Sequence, residues 1–204
     1  MIAIIDYGVG NLGSVEKALQ FIGLETVVTS DIGTIRSADG VVLPGVGAFS
    51  AAMASLERHG LVQTVKDIVS ENRLFLGICL GMQMLFDYSV EGGSKVEGLG
   101  LFKGAIKALP TDVGLKVPHM GWNSLYTDGC PLYEGLPENP YVYFVHSFYL
   151  DAGDKSIVTA TCDYGVRFDA AIGKGRVFAT QFHPEKSGEI GLRILKNWAC
   201  LGTL

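Results

Sequence analysis

A run of 13 residues, Leu74 to Phe86, is apolar apart from Gly77, Gly81 and Gln83. It is too short to span a bilayer, so it reads as buried core. Leu74 to Ile78 fits a buried strand, and Leu80 onward starts a helix read through to Phe86. Between them, Gly77-Ile78-Cys79-Leu80-Gly81 fits the pattern of glycine, any residue, nucleophile, any residue, glycine that marks a nucleophile elbow. Glycines two positions either side remove the Cβ atoms that would collide as a helix folds back over its strand. The helix N-terminus then favours a thiolate on Cys79. A lone cysteine is more often buried filler, and that plain role suits Cys130, Cys162 and Cys200.

The rest of the first third repeats the same alternation. Ile2 to Asp6, Glu25 to Thr29 and Gly40 to Leu43 read as strands. Asn11 to Phe21, Ser50 to Arg58 and Leu61 to Ser70 read as helices. This pattern predicts a parallel sheet with helices on both faces. After residue 87 come a glycine-rich loop (Ser89 to Gly100) and short strands at Ala105 to Leu109, Tyr141 to Phe148, Ile157 to Thr161, Ala170 to Ile172 and Arg176 to Phe182. These read as antiparallel additions to the same sheet. Ser187 to Ala199 is a helix with Ile190, Ile194, Leu195 and Trp198 on one face. No repeat or linker breaks the chain, so one domain over residues 1–204 is expected.

Composition narrows the function classes. The formal net charge is −5 and no run of four basic residues occurs, which argues against nucleic-acid binding. The N-terminus lacks the basic segment of a signal peptide, so no membrane role and a cytoplasmic setting are expected. No C-x-x-C pair and no histidine at ligand spacing argue against a metal site. Glycine is 27 of 204 residues, roughly twice the typical ~7%.

Two glycine clusters besides the elbow invite a function. Gly8-Val9-Gly10-Asn11-Leu12-Gly13 follows a strand and opens a helix, with Asp31 about 20 residues on, as in dinucleotide-binding turns. The same glycines also suit an ordinary strand-to-helix turn. Pro44-Gly45-Val46-Gly47 follows another strand and opens at the same carboxyl edge as Cys79. Its N–H groups, with that of Leu80, could form an oxyanion hole. A phosphate cradle is the rival, although the Gly-Lys-Ser/Thr ending of a P-loop is missing. A thiolate nucleophile also needs a base and an orienter. Of four histidines, His183 is followed by Pro184 and Glu185, a stiff turn able to set a carboxylate against the imidazole. A solvated surface turn would read the same way. His59 sits at a helix end, and His119 and His146 stay ambiguous.

Together, Gly77-Ile78-Cys79-Leu80-Gly81-Met82-Gln83 and Phe182-His183-Pro184-Glu185 resemble the class I (triad) glutamine amidotransferases. Pro118-His119-Met120-Gly121-Trp122-Asn123, Phe144-Val145-His146-Ser147-Phe148 and the first glycine cluster extend the likeness over nearly the whole chain. Val46, where many relatives carry proline, points to the branch serving histidine biosynthesis. The resemblance implies a three-layer α/β sandwich with a flavodoxin-like, mainly parallel sheet extended by antiparallel strands. It implies Cys79 as nucleophile on L-glutamine, His183 as base and acid, and Glu185 as orienter. It also implies Leu80 with Val46 and Gly47 as oxyanion donors, and Gln83, Ser147 and Phe148 as substrate contacts. No cofactor is implied. Asn11, Trp122, Asn123 and Lys186 would face a partner, a (β/α)₈-barrel cyclase that uses the ammonia and forms a heterodimer with this chain. On that reading 204 residues leave no room for a synthase domain.

Overall fold

The computed structural model describes residues 1–111 and 114–202. Strands β1 (Ile2–Ile5), β2 (Thr26–Thr29), β3 (Gly40–Gly45) and β4 (Leu74–Cys79) alternate with helices α1 (Leu12–Phe21), α2 (Ile32–Ser37), α3 (Phe49–Arg58) and α4 (Val62–Ser70). Helix α5 (Leu80–Gln83) follows β4 directly. Then come β5 (Phe86–Ser89), β6 (Val96–Glu97), β7 (Phe102–Ala108), β8 (His119–Ser124), β9 (Tyr126–Thr127), β10 (Tyr141–His146) and β11 (Phe148–Ala152). Strands β12 (Val158–Asp163), β13 (Arg167–Lys174) and β14 (Val177–Thr180) lead to helix α6 (Gly188–Cys200).

Among the described residues, 12 strands form one sheet in the order β2-β1-β3-β4-β14-β13-β11-β7-β5-β6, with β12 on β13 and β9 on β12. The pairs from β2 to β14 are all parallel. From β14 through β13 and β11 to β7 they are antiparallel. The expected α/β sandwich, mainly parallel at its centre and extended by antiparallel strands, is therefore the fold, except that β14, read as an antiparallel addition, pairs parallel with β4, and β5 pairs parallel with β7.

Strand parity divides the core into two layers. Ala3, Ile5, Val41, Leu43 and Phe75 pack with Ala52 and Leu56 of α3 and Val65 and Ile68 of α4. Ile2, Ile4, Val42, Leu74, Leu76 and Ile78 pack with Val15 and Leu19 of α1 and Ile194, Leu195 and Trp198 of α6. Trp198 is fully buried and its Nε1–H donates to the Phe75 carbonyl at 3.2 Å, so its indole is both packed and satisfied. Among the described residues, no helix is long and apolar enough to cross a membrane.

Four differences from the sequence reading bear on the site. The helix expected over Leu80 to Phe86 is a single turn, because Phe86 pairs with Phe102 in a new strand. An apolar run this short does not distinguish helix from strand by periodicity. The strand expected over Tyr141 to Phe148 is two strands in different sheets. β10 pairs with β8 in a separate two-stranded ribbon, β11 pairs with β7 and β13, and Ser147 is the break. Strand β8 was hidden by Pro118, Gly121 and its polar residues. Helix α2 was missed as well; Asp31 is its N-cap, accepting from the Thr34 N–H at 2.7 Å.

Candidate active site

The carboxyl ends of β3, β4 and β14 lie side by side, and each delivers one part of a site. Gly45 of β3 pairs with Cys79 of β4, so Val46 and Gly47 leave the sheet beside the cysteine. Thr180 of β14 pairs with Ile78 on the other side, so Gln181 and His183 emerge there. This is the edge at which open parallel sheets bind ligands.

Cys79 has φ +54° and ψ −110°. A non-glycine residue held there is strained. The strain has a visible result. By parity Cys79 should join the layer of Phe75, yet it lies in the layer of Leu74, Leu76 and Ile78. Its Sγ receives a hydrogen bond from Gln181 Nε2 at 3.6 Å and lies 4.0 Å from the Val145 carbonyl. Elsewhere alanine is more stable than glycine; here Cys79→Gly should outlast Cys79→Ala by about 1 kcal/mol, because only glycine adopts this φ freely. Thermal unfolding of the two variants tests it, and the ordinary order would contradict the strain.

The elbow closes because backbone meets backbone. A Cβ on Gly77 would lie 3.0 Å from the Gly81 carbonyl oxygen, and one on Gly45 would lie 2.9 Å from the Gly81 nitrogen. Gly47 has φ +88° with open space around it. Tyr7 steadies the loop by donating to the Pro44 carbonyl at 2.9 Å. One turn of α5 sums few peptide dipoles, so the support expected from a helix N-terminus is small here. The charged neighbour is His183.

His183 Nδ1–H donates to Glu185 Oε1 at 2.8 Å, with both side chains buried. Its backbone is pinned by His183 N–H to the Tyr143 carbonyl at 2.9 Å and by Ser187 Oγ to its own carbonyl at 2.7 Å. Burial opposes a charged ring, but hydrogen bonding and charge from Cys79 and Glu185 prevail and raise His183 to about 9. Nε2 is buried and has Cys79 as its neighbour, and the two residues line the cavity together. Since folding raises this histidine above its ordinary 6.5, its stabilising contribution is full below about 6.5 and is lost as pH rises through about 9. Glu185→Gln should flatten that decline. Unfolding free energies from pH 6 to 9.5 check it, and parallel curves for the two proteins would contradict it.

A cavity of ≈ 280 Å³ collects the remaining parts: Val46 and Gly47, Cys79 and Leu80, Gln83, Ser147 and Phe148. All the residues expected around a substrate therefore line one space. Gln83 donates from Nε2 to the Phe148 carbonyl at 3.0 Å and to Gln181 Oε1 at 2.8 Å. Glu91, Pro118 and His146 also line it; sequence reasoning assigned Glu91 and Pro118 no site role and left His146 ambiguous. Glu91 stands in the loop given no role; its Oε2 accepts from the Phe49 N–H at 2.6 Å. A buried polar residue near the end of an apolar strand was the available signal for Gln181.

The residues expected at a partner surface separate. Asn11 is exposed and lines a small cleft with Glu185 and His183. Trp122 is exposed on β8, beside exposed Met120 and Tyr141, and its ring approaches Gly188 near exposed Lys186. Asn123 differs. One residue along a strand reverses the face, and its side chain turns inward to His119 and to the Asp163 carbonyl. The dinucleotide reading of the first glycine cluster loses its acidic ligand, because Asp31 Oδ1 is engaged by the Thr34 N–H and hydroxyl. His59 is structural: its Nδ1–H donates to the Ser55 carbonyl at 2.8 Å.

This sheet and this cysteine elbow define a class, and the chain belongs to the class-I glutamine amidotransferase family, whose model matches residues 3–200. More finely, it is similar to proteins named imidazole glycerol phosphate synthase subunit HisH. The one from Caldanaerobacter subterraneus subsp. tengcongensis is 50% identical over 97% of both chains. That of Bacillus cereus is 52% identical over 97% of this chain and 93% of its own. Thermosynechococcus vestitus supplies a third, 48% identical over 98% and 96%. Among solved structures, a glutamine amidotransferase matches with TM-score 0.77 at 17% identity, covering all of both chains. PurLQS from Thermotoga maritima matches with TM-score 0.76 at 19% identity, over 98% of this chain and 97% of its own. At such identities these two speak for the fold alone.

Proposed function

We propose that this chain is a cytoplasmic glutaminase subunit. It hydrolyses L-glutamine to glutamate and ammonia and passes the ammonia to the cyclase subunit of imidazole glycerol phosphate synthase, a (β/α)₈ barrel. The cyclase makes imidazole glycerol phosphate and aminoimidazole carboxamide ribonucleotide in histidine biosynthesis. The observation that carries the reading is one cavity holding Cys79, the Leu80 backbone, Gly47 and a His183 backed by Glu185. The names of the HisH relatives support the partner and the pathway.

In this mechanism Cys79 reacts as a thiolate whose proton His183 Nε2 has taken, and its Sγ attacks the side-chain amide carbon. The tetrahedral oxyanion is held by the Leu80 N–H and by a donor in Val46–Gly47. His183 then gives the proton to the leaving nitrogen, ammonia departs and a glutamyl thioester remains. Water adds to the thioester through the same base, releasing glutamate and the thiol. Glu185 keeps the ring in the tautomer with Nε2 toward the sulfur. Gln83, Ser147 and Phe148 hold the amino-acid end of glutamine, and the Glu91 carboxylate balances its ammonium. The partner docks on the face of Trp122, Lys186 and Asn11, close to the oxyanion loop, and aligns that loop. Ammonia release from glutamine, with and without the cyclase and its nucleotide, tests this. Strong stimulation is expected; full activity of the chain alone would contradict partner gating, and no activity in the complex would overturn the reading.

A further inference from the structure

Two buried histidines, His119 and His146, take no part in that chemistry. They are directly cross-strand partners in the β8–β10 ribbon and face inward. His119 is stacked between the rings of Phe144 at 4.8 Å and Tyr164 at 3.8 Å. His146 sits edge-on to Phe168 at 5.1 Å.

Their hydrogen bonds run in one direction. The Phe148 carbonyl can only accept, so His146 Nδ1, 2.9 Å away, carries a proton. In the neutral ring Nε2 is then bare and accepts from His119 Nδ1–H at 2.9 Å. His119 Nε2 is bare in turn and accepts from Asn123 Nδ2–H at 3.3 Å. Asn123 is anchored by donating to the Asp163 carbonyl at 3.0 Å and accepting from the Ser124 N–H at 2.8 Å. A proton added at His146 Nε2 would set donor against donor at His119. Burial accordingly lowers His119 to about 4 and, with opposition from the Phe148 carbonyl and help from the neighbouring histidines, His146 to about 3. Both rings are neutral at working pH, as the chain of bonds requires.

The chain ends at a working part of the site. The same Phe148 carbonyl accepts from Gln83 Nε2, Gln83 also donates to Gln181, and Gln181 donates to Cys79 Sγ. We propose that His119 and His146 are positioning residues for glutamine: a neutral, tautomer-locked pair that fixes the Phe148 carbonyl at the Ser147 strand break and, through it, the carboxamide of Gln83. In its kinetic arm this rests on the glutaminase reading; the bonding pattern stands apart from it.

Two measurements test the proposal. The first is steady-state glutamine hydrolysis in the complex with the synthase partner. Loss of one buried hydrogen bond predicts that His146→Leu raises KM about tenfold with a smaller change in kcat. In His146→Asn the amide nitrogen stands where Nδ1–H stood, so KM should return to within about threefold of wild type. His119→Leu should raise KM in the same direction and His119→Asn should recover part of it. The second is ¹⁵N NMR of the histidine rings, expected to show His119 and His146 both neutral and protonated at Nδ1. An unchanged KM in folded His146→Leu, an asparagine variant no better than the leucine one, or an Nε2–H tautomer at His146 would each overturn the proposal. Should the leucine variants not fold, the asparagine variants and the NMR decide it. A wild-type complex that releases no ammonia sinks the glutaminase reading, and the NMR then judges the histidine chain by itself.

Discussion

A Cys79→Ser protein is expected to fold like wild type and to lose glutamine hydrolysis in its synthase complex by about 10³-fold or more. The substitution changes one buried atom and keeps the strained backbone at φ +54°, so the melting temperature should move little. The chemistry should collapse. A hydroxyl is far harder to ionise than a thiol, and His183 is tuned by its contact with this sulfur. Among the described residues that line the cavity, Cys79 is the one thiol. Activity within tenfold of wild type, measured as ammonia released, would show that Cys79 is not the attacking group.

A large effect on stability is expected at Gly81. A Cβ there would lie 1.9 Å from the Leu43 carbonyl oxygen and 2.9 Å from its carbon. Both are backbone atoms of the central strand β3, fixed by parallel ladders on either side, so neither can swing away as a side-chain tip would. Gly81→Ala must push α5 off β3 and carry Leu80 and Cys79 with it. We expect a loss of roughly 3 kcal/mol or more, which for a chain of this size lowers the melting temperature by about 6–12 °C. Gly77→Ala, whose nearest contact is 3.0 Å, should cost less. Calorimetry on the two variants tests the order; a Gly81→Ala protein melting within about 2 °C of wild type would refute the backbone contact.

These two residues also show what a sequence can disclose. The glycines around Cys79 carry a local steric demand, so they announce the elbow without knowledge of anything distant. The stiff His183-Pro184-Glu185 turn is likewise local, and the 2.8 Å bond forms within it. The parallel core was legible because each strand and helix repeats its own period. What stayed hidden depends on partners far away in the chain. Tyr141 to Phe148 looks like one strand until its two halves choose β8 and β7. Asn123 was paired with Trp122 at a partner surface, and only the discovery of β8 assigns the two residues to opposite faces. Glu91 enters the cavity from a polar loop with no periodicity of its own. His119 and His146 stand 27 positions apart, and only the ribbon register makes them neighbours.

The most direct test of the glutaminase account is covalent. A diazo-ketone analogue of glutamine, applied to the complex and followed by peptide mass spectrometry, should attach to Cys79. Burial pushes Cys162 up to about 12 and raises Cys130 as well, so neither thiol should compete. Label on the peptide carrying Cys79, suppressed by glutamine, is the predicted result. Label on Cys130, Cys162 or Cys200 with Cys79 unmodified would contradict it.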